Sequence, residues 1–127
     1  MGNQEISASS QDYLEIIYTL YKSGIEVRSV DIATAMGVSR ASISKAMGVL
    51  KNAGMVMQEK YGRIMLTTEG MAAAKKVIRT HETLKSFLVD VLGVSEKIAQ
   101  QDACKMEHSI SPETLKKLIS YLHKDKA

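Results

Sequence analysis

Cys104, Glu107 and His108 stand at i, i+3, i+4, a spacing that on a helix sets a thiol, a carboxylate and an imidazole on one face. That donor mix suits a divalent transition ion such as iron, manganese, cobalt, nickel or zinc, rather than calcium or magnesium. It is not the His-Glu-x-x-His pattern of a metallopeptidase, nor a structural zinc site, which would want more thiolates. Asp12 and Glu15 add two carboxylates at i, i+3, and His81 stands alone within an apolar stripe. Singly, each has a structural role open to it. Asp12 could complete a capping box with Ser9, Glu15 could be a solvated charge, His81 a hydrogen-bonded core imidazole and Cys104 an inert thiol. Cys104 and His108 as nucleophile and base would lack an orienting third group and an oxyanion-hole element, and no substrate-binding loop is visible, so an enzyme is not expected.

A second group of residues suits a different partner. Between Val38 and Ile64, Arg40, Lys45, Lys51, Lys60 and Arg63 stand against Glu59 alone, a net +4, whereas the other 100 residues sum to −1. A basic stretch of this kind is the electrostatic footprint of nucleic-acid binding. Within it Ser39 caps a helix with Ile43, Ala46, Met47 and Leu50 on one face and Ala41, Lys45, Gly48 and Asn52 on the other, flanked by Ser42 and Ser44. No bulky apolar side chain blocks that outer face from a major groove, and Arg40 and Lys45 could reach phosphates or a guanine edge. Tyr61 and Arg63 fall at a hairpin tip, beside the neighbouring minor groove or backbone. The plainer alternative is a solvated helix face with no partner.

Helical spacing supplies the elements that must position these residues. A first helix is expected from Ser9, as N-cap, to Gly24, with Leu14, Ile17, Tyr18 and Tyr21 on its apolar face. A second opens at Ser29, with Asp31 suiting its positive end, and stops at Gly37; the third runs from Ser39 to Asn52–Gly54. Short segments, Met55–Lys60 and Ile64–Thr67, flank Tyr61-Gly62-Arg63 as a hairpin. A long helix is expected from Thr68 to Leu92, its stripe comprising Met71, Ala74, Ile78, His81, Leu84, Leu88 and Val91 or Leu92. Ser95 caps a fifth helix bearing Ala99, Ala103, Met106 and Ile110. Ser111-Pro112-Glu113 starts a sixth with Leu115, Leu118, Ile119 and Leu122. Three helices, a tight turn and a hairpin make the winged helix-turn-helix pattern. The fold expected is mainly α: a winged helix-turn-helix of three helices plus a two-stranded wing over residues 1–70, then an all-helical lobe over 71–127.

Composition narrows the classes further. With 127 residues, 45% hydrophobic and 24% charged, the chain is of globular type and too short for a large multidomain enzyme. No apolar run approaches the ~18 residues of a membrane span, and the polar start has no secretory pattern. Ile6 stands where a myristoylation signal would want Ser or Thr. The single cysteine excludes an intrachain disulfide and fits a reducing cytoplasm. A cytoplasmic protein without a membrane partner is expected.

Asp12-Tyr13-Leu14-Glu15-x-Ile17-Tyr18, the helix-turn-helix, His81 in Arg79-Thr80-His81-Glu82-x-Leu84, and Cys104-x-x-Glu107-His108 together resemble the diphtheria-toxin-repressor family of metal-dependent transcriptional regulators. The resemblance is closest to its short manganese transport regulator branch and covers about Gln11 to Leu122. It implies a homodimer with an N-terminal winged helix, a helical dimerisation lobe and metal held between the two. Carried over by position, Asp12, Glu15, His81, Cys104, Glu107 and His108 are the implied metal ligands, and Ser39, Ala41, Ser42 and Lys45 align with DNA-contacting positions. The implied function is repression at pseudo-palindromic operators of metal homeostasis genes when loaded with Mn(II) or Fe(II). The manganese branch has a carboxylate at the position of Cys104, whereas the iron branch has cysteine there but usually a thioether at the position of Asp12. This chain is a hybrid. Cys104 tilts selectivity toward iron, cobalt, nickel or zinc, while Asp12 and Glu15 keep manganese in play. Lys85 occupies a position where an acidic residue often supports a second metal, and the SH3-like domain of longer members is not expected here. The alternative is a winged-helix regulator that senses an organic ligand or thiol oxidation at Cys104.

Overall fold

The structure, a computed structural model, describes residues 6–59 and 62–125. The chain divides into two compact units, Met1–Lys75 and Lys76–Ala127. Eight elements carry the argument: α1 (Ala8–Lys22), α2 (Ser29–Met36), α3 (Arg40–Asn52), β1 (Val56–Gln58), β2 (Ile64–Leu66), α4 (Thr68–Ser86), α5 (Glu96–Met106) and α6 (Pro112–Asp125). A π-helical segment, Phe87–Val91, follows α4.

In the first unit Tyr13, Leu14, Ile17, Val27, Ile32, Ile43, Met47, Leu50, Val56 and Ile64 form one buried cluster. Five of the largest, Leu14, Ile17, Ile32, Ile43 and Leu50, are nearly or fully inaccessible, each contributing roughly 1.5–3 kcal/mol of burial. α1 begins two residues earlier than its periodicity implies, because Ser7, not Ser9, is the N-cap and accepts the Ser10 N–H at 3.1 Å. A serine only two positions upstream offered the same capping chemistry, and the apolar pattern does not choose between them. Asp12 therefore lies beyond the third helical position and is not the acidic member of a capping box. α2 and α3 are joined through Gly37, Val38 and Ser39; Gly37 takes φ +69°, the left-handed conformation that ends α2. Ser39 then caps α3, its Oγ accepting from Ser42 N at 3.1 Å. The strands pair antiparallel with Val56 opposite Leu66 and Gln58 opposite Ile64. A partner that periodicity did not indicate is the Val27 backbone, whose carbonyl accepts the Ile64 N–H at 2.8 Å, with a bridge from Arg28 to Arg63 alongside. One isolated extended residue pair leaves no alternation to read.

Thr67 joins the hairpin to α4. Its hydroxyl donates to the Gly54 carbonyl at 2.6 Å and accepts from Gly70 N at 3.0 Å, while its own N–H reaches the Met55 carbonyl at 3.0 Å. A Cβ at Gly70 would overlap that same Met55 carbonyl.

In the second unit the expected single helix from Thr68 to Leu92 does not keep one geometry. After Ser86 the backbone widens to i→i+5 bonding, with Leu92 N reaching Phe87 O at 3.2 Å, before Gly93 at φ +74°. Of the two residues offered as the end of the stripe, Val91 is half-buried and Leu92 59% exposed, and Val77 rather than Ile78 is the buried position one turn before His81. Ser95 caps α5 as expected, and α5 packs on the π-helical segment. Ala99 and Ala103 are buried but Met106 is exposed. α6 is capped by Ser111 Oγ, which accepts from Thr114 N at 3.2 Å, and its Tyr121 stands edge-on to Phe87 with ring centroids 6.4 Å apart. Among the described residues no helix is long and apolar enough to cross a membrane.

Candidate metal centre and nucleic-acid interface

α4 and α5 bring four of the predicted metal donors together within the second unit. His81 sits on the buried face of α4, 7% exposed, one turn from Leu84. α5 ends at Met106, so Glu107 is its C-cap and His108 lies in the turn beyond. The Cys-Glu-His motif thus straddles a helix terminus instead of lying on one continuous helix. The cause is local: the Glu107 N–H closes on Ala103 and the Ser109 N–H then reaches back only three residues, to Met106. The turn still points both side chains inward.

The geometry centres on the Glu107 carboxylate, whose side chain is 1% exposed. Glu107 Oε1 lies 2.7 Å from His81 Nδ1, and Glu107 Oε2 lies 3.5 Å from His108 Nε2. Cys104 Sγ is 3.9 Å from His81 Nδ1. Withdrawing a carboxylate from water is costly unless cationic or hydrogen-bonding groups replace the lost hydration. Here two imidazoles stand beside it, with the Cys104 thiol 3.9 Å from one of them. That set of one hard oxygen donor, two nitrogen donors and one sulfur donor fits a divalent transition ion. Gln100, a residue without a predicted role, also belongs to the cluster: its Oε1 is 3.0 Å from His81 Nε2 and its Nε2 is 3.9 Å from Cys104 Sγ. Its position one turn before Cys104 was the available signal, but glutamine is an ordinary residue for a solvated helix face.

Asp12 and Glu15 belong to the first unit, both on α1, Asp12 exposed and Glu15 half-buried. Thr19 Oγ1 donates to the Glu15 carbonyl at 2.9 Å, an ordinary helix-surface bond.

The predicted DNA-reading residues divide by environment. Ser39, Arg40, Ala41, Ser42 and Lys45 are all exposed along the N-terminal half of α3, with Ile43, Met47 and Leu50 buried on its other face. Tyr61 lies outside the described residues. Arg63 is half-exposed and already engaged: its Nε and a terminal nitrogen each lie 3.1 Å from a Glu59 carboxylate oxygen, and Glu26 approaches at 4.0 Å. Hydrogen bonding to Glu59, followed by the attraction of its charge, holds the Arg63 guanidinium above its ordinary pKa. Sequence spacing contained this pair, since Glu59 precedes Arg63 by four residues, but a hairpin turn rather than a helix makes the contact.

The family model described as the iron dependent repressor, N-terminal DNA binding domain, matches residues 5–64, and its metal binding and dimerisation domain matches residues 67–126. An HTH-type transcriptional regulator of Methanocaldococcus jannaschii is 36% identical over 122 residues, spanning 95% of this chain and 98% of that protein. The transcriptional regulator MntR of Bacillus subtilis is 32% identical over 122 residues, spanning 94% of this chain and 85% of that one. A solved manganese-dependent transcriptional repressor, in complex with manganese, superposes with a TM-score of 0.82 at 30% identity over 90% of this chain; the chain spans about half, 52%, of that structure's length. This chain belongs to the diphtheria-toxin-repressor family of metal-dependent transcriptional regulators, on its manganese-regulator branch.

Proposed function

We propose that this chain represses transcription as a homodimer that binds pseudo-palindromic operator DNA once loaded with Mn(II) or Fe(II), and that its target genes serve metal homeostasis. The observation that carries the reading is the buried Glu107 carboxylate flanked by the imidazoles of His81 and His108 with the Cys104 thiol beside them. His81, Cys104, Glu107 and His108 are the proposed ligands in the second unit. Asp12 and Glu15 of α1 are proposed to complete the set, a role supported by their i, i+3 spacing and by Ser7 rather than Ser9 being the helix cap. The bound ion supplies charge that compensates the carboxylates and favours the DNA-competent state. At 100 times its dissociation constant, ligand binding stabilises the state it selects by about 2.7 kcal/mol, on the order of a 100-fold change in DNA affinity.

Ser39, Arg40, Ala41, Ser42 and Lys45 are proposed to meet the major groove, with Tyr61 and Arg63 beside it. In a two-fold dimer the two recognition helices address half-sites about 34 Å apart or a multiple of it. Cys104 must stay reduced to ligate, which fits the cytoplasm. No catalytic role is assigned, in keeping with relatives that are transcriptional regulators. Operator binding measured anaerobically, with and without Mn(II) or Fe(II), is expected to differ at least tenfold; equal affinities would remove the metal switch.

A further inference from the structure

His81 makes a second contact that ligation by the four donors does not require. The Gln100 side chain, one turn before Cys104 on α5, reaches both the far nitrogen of His81 and the sulfur of Cys104. A glutamine oxygen only accepts and its nitrogen only donates. With Oε1 at 3.0 Å from His81 Nε2, this contact is a hydrogen bond when Nε2 carries a proton. The other nitrogen, Nδ1, faces Glu107 Oε1 at 2.7 Å and Cys104 Sγ at 3.9 Å; without an ion the short contact needs a proton on Nδ1, and a bound ion would take that proton's place. The amide nitrogen completes the bracket by pointing at Cys104 Sγ, where a thiolate is the better acceptor.

We infer that Gln100 is a positioning residue of the metal centre, fixing His81 in the tautomer that offers Nδ1 to the ion and holding the Cys104 sulfur on that same side. This role rests on the metal reading above. Metal-bound histidines generally donate their other ring N–H to an oxygen, and loss of such a partner costs typically 10–100-fold in metal affinity. What this chain adds is one amide serving two ligands of different softness. Removing it should weaken sulfur-favouring ions more than manganese.

Gln100→Met keeps the length of the side chain and removes both polar contacts, whereas Gln100→Glu keeps the acceptor for His81 and removes the donor to Cys104. In the zinc-loaded full-length protein, nitrogen-15 histidine spectra should show His81 coordinated through Nδ1 with a protonated Nε2 in the wild type and in Gln100→Glu. Gln100→Met should lose that single assignment and bind Zn(II) at least about 10-fold more weakly. Gln100→Glu should lose zinc affinity relative to Mn(II), and its sulfur-to-metal charge-transfer band with Co(II) should weaken. Wild-type coordination through Nε2, or a Gln100→Met protein matching the wild type in both spectrum and affinity, would overturn the role while leaving the metal reading standing. A wild-type protein that takes up no Zn(II), Co(II) or Mn(II) would overturn both.

Discussion

The charges of the wing are partly spent on each other. Glu59 clasps Arg63 through two contacts of 3.1 Å, so the net +4 counted between Val38 and Ile64 overstates what a phosphate would meet. Glu59→Gln should release that guanidinium, tightening non-specific duplex binding and steepening the log-affinity against log-salt slope by up to about 0.9, one further phosphate contact. An unchanged slope would show that Arg63 stays away from DNA. Lys45, exposed on the outer face of α3, should behave differently: Lys45→Ala is expected to weaken operator binding by about 1–3 kcal/mol and relax specificity at one base position. His108→Ala should abolish the metal response, read as operator binding with and without Mn(II), while circular dichroism stays native. Loss of the fold instead would assign His108 to the core. At this scale residue types and spacing pointed to the proposed donors, and the structure brings His81, Cys104, Glu107 and His108 near one another. Types and spacing did not reveal Gln100 or the Glu59 clasp, whose partners are ordinary surface residues until a turn or a neighbouring helix faces them.

Helices were legible where a stripe and a cap coincide. Ser39 and Gly37 bound the turn before α3 as expected, since each has a conformation or a hydroxyl that the turn needs. Ser7 displaced Ser9 because two serines compete for one cap, and the Val27 backbone joined the wing through two extended residues too few to show a period. The start of α4 shows how tightly such junctions are set. Gly70→Ala would push a methyl into the Met55 carbonyl that already accepts from Thr67 N, and should cost about 1–3 kcal/mol in denaturant unfolding. Ser39→Ala should cost about 0.5–2 kcal/mol through the lost cap, with most of the loss appearing as fraying at the start of α3.

For the whole molecule, apolar periodicity specified the class, a mainly helical chain with one small hairpin, more firmly than it specified the chemistry. Metal binding should register in stability as well as in DNA affinity, because an ion held only by the folded chain favours that state. Adding Mn(II) to the chelated protein should raise its melting temperature by several degrees, as expected when ligand at 100 times its dissociation constant adds about 2.7 kcal/mol to the folded state. A melting temperature indifferent to both Mn(II) and Fe(II) would sever metal from the folded chain altogether.

The widened turn at Phe87–Val91 holds one residue more than a regular helical turn would. Shortening the gene by a single codon there gives the backbone an ordinary α-turn to fall into, so a viable polypeptide is expected rather than a broken one. Because an α-turn completes nearly the same sweep around the axis with that residue removed, everything downstream would keep close to its present phase. The deletant should keep both its circular dichroism signature and its metal uptake; native helix content with uptake lost would show that the wide turn itself aims α5 at His81.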